Sequence, residues 1–241
     1  MKKEIGKFLV PAGRFAATCA FSLALILTLP ALAQADGPAQ EVFLPKSQKG
    51  PVVVLISGQS GTSNYRFYGR DVAALGYYTV LIDGKDILTR QQDGAQNLRK
   101  VIARAQTAPE ATPGKVAVVG FSQGGSGVLL HAVTMPELIS AAIAYYPGTD
   151  WTKNLDAVAA RIQIPLLVLA GERDRYKNCC VIESIRELEA AAKAKQIPLE
   201  LIVYPYAGHG FNLSGSGYRG TDADDAWRRT SEMLARYLPV K

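Results

Sequence analysis

Lys115-Val116-Ala117-Val118-Val119-Gly120-Phe121-Ser122-Gln123-Gly124-Gly125-Ser126-Gly127-Val128-Leu129-Leu130 decides how this chain is read. An apolar run of strand length leads into a serine boxed by glycines, and an apolar segment of helical length follows. Gly120-Phe121-Ser122-Gln123-Gly124 is thus G-x-S-x-G in the strand, turn and helix context that gives the pattern meaning. Small neighbours let the chain turn sharply, so the Ser122 hydroxyl is expected at the strand's end beside a helix N-terminus. A dinucleotide site begins in a similar way but needs G-x-G-x-x-G. Here Gly125-Ser126-Gly127-Val128-Leu129-Leu130 ends in leucine, and no G-x-x-x-x-G-K-[ST] loop occurs.

Outward from this stretch, apolar runs and helical patterns alternate. Pro51-Val52-Val53-Val54-Leu55-Ile56 is a continuous β-branched run, as expected for a strand buried on both faces of a parallel sheet. Further strands are predicted over 78–82, 141–146, 165–170 and 199–204. Helices are predicted over 65–75, 93–105, from Ser122 to Val133, over 181–195 and over 223–238. Such alternation predicts an α/β fold, a mostly parallel central sheet with helices on both faces. Little room separates the strands ending at Tyr146 and starting at Pro165, so no large cap domain is expected there. The open site this implies suits small soluble substrates.

The 241 residues are 48% hydrophobic and 20% charged, which suits one globular domain. Lys2, Lys3, Lys7 and Arg14 precede an apolar run over 15–32, and Ala33-Gln34-Ala35 has the small residues of a cleavage site. The expected division is a signal peptide over 1–35, an N-terminal extension over 36–50 and the main α/β domain over 51–241. The chain is then exported, periplasmic or secreted; an uncleaved N-terminal membrane anchor is the alternative. Removing Lys2, Lys3, Lys7, Arg14 and Glu4 lowers the formal charge from +6 to +3. That excess, with no basic cluster interleaved with aromatics, argues against nucleic acid as a partner. No stable membrane partner is expected for the domain, and composition leaves the oligomeric state open.

Cys179 and Cys180 are adjacent. They could close a vicinal disulfide in an oxidising compartment, but the reading favoured is two reduced thiols at the start of a helix, one of them buried. No His or further Cys stands at ligand spacing nearby, so no metal is expected.

A serine hydroxyl needs a base within reach, itself oriented by a carboxylate. The chain has two histidines. His131 lies within the apolar segment after Ser122 and reads as a packed helical residue. His209 lies between Gly208 and Gly210 after the strand over 199–204, and is the expected general base. Asp174, in Gly171-Glu172-Arg173-Asp174, is the expected orienting acid, with Glu172 and Asp150 as rivals. The order Ser122, Asp174, His209 is the Ser, acid, His order of one hydrolase fold. Donors for a carbonyl oxygen are expected from the backbone N–H groups of Gln123 and Gln59. Arg66, Tyr65, Tyr145 and Tyr146 sit on segments that could line such a site.

Together the serine turn, the G-x-x-D of Gly171 to Asp174 and Ala207-Gly208-His209-Gly210-Phe211 resemble the α/β-hydrolase superfamily and, within it, the dienelactone hydrolase-like family. Arg90, in Leu88-Thr89-Arg90-Gln91, is similar in position to a family arginine that helps hold a substrate carboxylate. The chain departs from the name-giving enzymes in having Ser122 for their cysteine, and Asn212 and Leu213 where a second arginine follows their histidine. The resemblance implies hydrolysis of esters, lactones or thioesters through an acyl-serine, with a small-molecule ester or lactone as partner and no cofactor. A peptidase, and a non-catalytic binding module on the same fold, are the alternatives.

Overall fold

The computed structural model describes residues 37–241. The expected leader and its cleavage point after Ala35 lie outside the described residues. Strand β1 (Glu41–Phe43) runs along the edge of the sheet, and β2 (Gly50–Ile56) runs through its interior. In β2, Val52, Val54 and Ile56 enter one apolar cluster and Val53 and Leu55 the other. Successive side chains of a strand point to opposite faces, so an uninterrupted apolar run is what a strand covered on both sides requires.

Two helical layers supply the cover. On one face α2 (Gly94–Gln106) buries Leu98, Val101 and Ile102, and α5 (Ile182–Ala194) buries Ile182, Ile185 and Leu188. The short α4 (Leu155–Ala160) packs on α5 through the same cluster. On the other face lie α1 (Arg66–Ala74), with Tyr68 and Val72, and α6 (Gly220–Tyr237), with Ala226 and Leu234. Each fully buried aliphatic or aromatic side chain contributes roughly 1.5–3 kcal/mol relative to exposure. Thr230 interrupts the apolar stripe of α6, and its hydroxyl lies 2.7 Å from that of Tyr145, which also meets the Tyr68 hydroxyl. Burial of these polar groups is offset because they satisfy one another.

The remaining strands are β3 (Tyr78–Ile82), β4 (Ala111–Phe121), β5 (Ile139–Tyr145), β6 (Leu166–Gly171) and β7 (Leu199–Tyr204). The sheet order is β1-β3-β2-β4-β5-β6-β7, with β1 antiparallel and every other pairing parallel. The chain turns one way from β2 to β3 and the other way from β4 to β5. The crevice beyond the ends of β2 and β4 is therefore a topological switch point, where sheets of this kind take ligands.

The segment read as an N-terminal extension contributes β1, so the sheet starts ahead of residue 51. The helix after Ser122, α3 (Gln123–Leu130), stops before Val133; a separate 3-10 turn follows at Ala132–Thr134. Between β5 and β6 the chain forms only α4 and turns, in line with the small connection expected there. Among the described residues no helix is long and apolar enough to cross a membrane.

Candidate active site

The turn after β4 holds Ser122 at φ 52° and ψ −113°, a left-handed conformation costly for a residue with a side chain. Its N–H is anchored on the Tyr145 carbonyl at 2.9 Å, and its carbonyl accepts from the Ser126 N–H at 2.9 Å. Gly124 sits where a Cβ would collide with the Ile56 carbonyl oxygen, so glycine lets the start of α3 press against the end of β2. That close approach sets the loop after β2, with Gln59, beside the start of α3.

His209 is carried by the loop after β7, where Gly210 takes φ 69°. Nε2 of His209 lies 2.8 Å from Ser122 Oγ, and Nδ1 lies 2.7 Å from Asp174 Oδ2. Asp174, in the loop after β6, is 1% exposed, and its other oxygen accepts from the Tyr176 N–H at 3.0 Å. Both rivals for the acid fall elsewhere. Glu172 pairs with Arg186 at 2.6 Å on the surface, and Asp150 is exposed. His131 caps the end of α3 instead, bonded to the Ile87 backbone; burial and the nearby Arg161 push its pKa down.

The N–H of Gln123 is the first of α3, and Gln59 lines the cleft around Ser122. Among the described residues, neither N–H has a hydrogen-bond acceptor. Two free donors flanking the serine can take charge that develops on a carbonyl oxygen. The Gln123 side chain donates to the Leu88 carbonyl at 2.8 Å. Leu88 is thereby tied to the residue after Ser122, and Arg90 lies exposed two positions further on.

The cleft holds about 320 Å³ and is lined by Tyr65, Tyr146 and Tyr176 and by the loop from Leu213 to Gly217. Tyr146, at φ 34° and fully enclosed, meets the His209 ring edge-on at 4.7 Å and donates to Asn212 Oδ1 at 2.8 Å. Burial pushes its hydroxyl well above the ordinary phenol range. Tyr145 serves the buried network with Tyr68 and Thr230, and Arg66 pairs with Glu41 of β1. Tyr176 was not anticipated. It stands two positions after Asp174, and that proximity was the available signal. A second cleft, of about 310 Å³ between Pro165, Pro198 and Met233, contains none of Ser122, Asp174 and His209.

Cys179 and Cys180 are joined by a disulfide, which corrects the reading as free thiols. Left-handed backbone at Lys177 and Asn178 curls the chain tightly just before the pair. Cys180 is buried, with its sulfur near the Asp174 and His209 side chains.

The sheet order, the serine turn and the three converging side chains define an α/β-hydrolase. More narrowly, the chain belongs to the dienelactone hydrolase family, whose model matches residues 39–238. It is 35% identical over 132 residues to the carboxymethylenebutenolidase of Rhodococcus opacus, a match covering 51% of this chain and 50% of that protein. The chain spans about half the length of the curated relatives it matches. Esterase 2 of Thermogutta terrifontis, phosphonylated by cyclosarin, superimposes with a TM-score of 0.68 at 20% identity, covering 84% of this chain and 90% of that one. The acylaminoacyl peptidase of Pyrococcus horikoshii gives 0.65 at 17%, covering 83% and 39%. At these identities the structural likeness concerns the fold.

Proposed function

We propose that this chain is a serine hydrolase that cleaves carboxylic esters or lactones of small substrates through an acyl-serine intermediate. The observation that carries the reading is the continuous contact from Ser122 Oγ through the His209 imidazole to the Asp174 carboxylate, at 2.8 and 2.7 Å. In this reading His209 Nε2 takes the Ser122 proton as Oγ attacks the carbonyl carbon. Asp174 holds Nδ1–H, which fixes the tautomer and stabilises the imidazolium. The carbonyl oxygen gains charge and is met by the N–H groups of Gln123 and Gln59; losing one such donor typically costs about 2.7–4 kcal/mol. The protonated imidazole then returns its proton to the leaving alkoxide, and water deacylates Ser122 by the same route reversed.

The names of the Rhodococcus opacus and Thermogutta terrifontis proteins support lactones and esters as the substrate class. Ser122→Ala is expected to abolish turnover of a short-chain nitrophenyl ester while leaving the thermal unfolding cooperative. A fluorophosphonate is expected to label Ser122 in the native chain; no labelling, with no turnover by the native chain, would instead fit a binding module. Export is part of the proposal, supported by the basic, apolar and small-residue order of residues 1–35. N-terminal sequencing of exported protein is expected to begin at Asp36, and an intact Met1 would refute it.

A further inference from the structure

Tyr176 leaves the acid loop and lies flat on the base. Its ring and that of His209 are 4.4 Å apart between centroids and inclined by 8°, a face-to-face stack. The same residue's N–H donates to Asp174 Oδ1, so its backbone holds the acid while its ring covers the imidazole. Beyond it, Lys177 Nζ donates to Gln59 Oε1 at 3.0 Å, and the Cys179 N–H donates to the Tyr176 carbonyl at 3.0 Å. Cys179, locked to Cys180, accepts from the Thr149 N–H at 2.8 Å. Residues 174–180 therefore form a strap fastened to the loops after β2 and β5. Tyr176 is nonetheless 40% exposed, so core packing alone does not account for an aromatic residue here.

We propose that Tyr176 is a positioning residue whose ring holds the His209 imidazole in register and stabilises the imidazolium formed during catalysis. This rests on the reading of His209 as general base. When Ser122 Oγ bonds to the carbonyl carbon, its proton moves to His209 Nε2, and the ring gains one positive charge while Nδ1–H stays on Asp174. The negative face of a phenol attracts a cation within about 6 Å, worth about 0.5–2 kcal/mol. The neutral imidazole of the resting state gains much less, so the contact favours the transition state over the ground state. The Lys177 ammonium also lies over the Tyr176 ring, at 5.2 Å, and Gln59 Oε1 holds it there.

Tyr176→Leu removes the face and Tyr176→Phe keeps it. Leucine is expected to lower kcat by about 2- to 30-fold, the conversion of that energy range, with KM little changed. Phenylalanine is expected to keep most of kcat. An independent readout is the imidazole C–H resonance in selectively histidine-labelled protein, simple to assign because the chain has two histidines. The His209 signal is expected upfield from ring current in the native chain and in Tyr176→Phe, and further downfield in Tyr176→Leu, where Tyr146 still meets the ring. Native kcat in the leucine variant, an equal loss in the phenylalanine variant, or an unshifted His209 signal in the native chain would overturn the inference. The last of these applies even if a variant fails to fold. Should Ser122→Ala be inactive while Tyr176→Leu matches the native chain, this inference alone falls; an active Ser122→Ala removes the reading beneath it.

Discussion

Nδ1 of His209 and Oδ2 of Asp174 lie 2.7 Å apart, and the carboxylate is 1% exposed. A carboxylate so enclosed can fix the orientation of the ring it touches, because water does not compete for its oxygens. Asp174→Asn is expected to keep the shape but favour the wrong tautomer, lowering kcat by up to about 10⁴-fold. Glu172→Gln, which loses only the surface pair with Arg186, is expected to retain kcat. Steady-state kinetics on a nitrophenyl ester separates the two, and equal losses would return Glu172 to candidacy.

Tyr146 and Asn212 form a buried pair behind the histidine, and Asn212 Nδ2 has no partner among the described residues. Tyr146→Phe leaves Asn212 Oδ1 unpaired as well and is expected to cost about 1–3 kcal/mol of stability. Adding Asn212→Leu to that variant removes the stranded amide and is expected to recover part of the loss. Denaturant midpoints of the native chain, the single variant and the double variant test this.

Asp225 accepts from Arg228 and Arg229 at 2.6 Å each and from the Tyr204 hydroxyl at 3.0 Å. Burial raises its pKa, but the hydrogen bonds from Arg229, Arg228 and Tyr204 outweigh that and bring it from the ordinary 3.8 to about 2. A folded pKa below the unfolded one means stability present above pH 3.8 and lost as pH falls through about 2. Asp225→Asn is expected to lower Tm at neutral pH and to flatten its decline across that acid window. A decline as steep as the native one would show that other carboxylates carry the effect.

The disulfide predicts a chemical result. Trypsin cuts after Lys177 and Arg186, releasing a peptide of residues 178–186 that carries both cysteines. From thiol-blocked, unreduced protein this peptide is expected two hydrogen masses below its dithiol form, with no blocking group attached. Alkylated cysteines in that peptide would show that the thiols are free in the isolated protein.

Much of the site was legible because its parts carry local signatures. G-x-S-x-G names Ser122 through backbone needs that act within five residues, and Asp174 and His209 follow strands whose apolar runs announce them. Arg90 lies exposed, and a motif shared in sequence does not determine where a surface turn carries its side chain. Tyr176 was missed because stacking depends on two loops that are far apart in the chain meeting in space.

By itself, the sequence determined the alternation of strand and helix, the double-faced burial of β2 and the sharp turn at Ser122, since these follow from short-range sterics and apolar periodicity. Only the tertiary structure decided between Asp174 and Glu172, placed Tyr176 on His209 and closed Cys179 onto Cys180. Those outcomes depend on distances of a few ångströms between loops, which the packing of a seven-stranded sheet establishes and one-dimensional spacing does not encode.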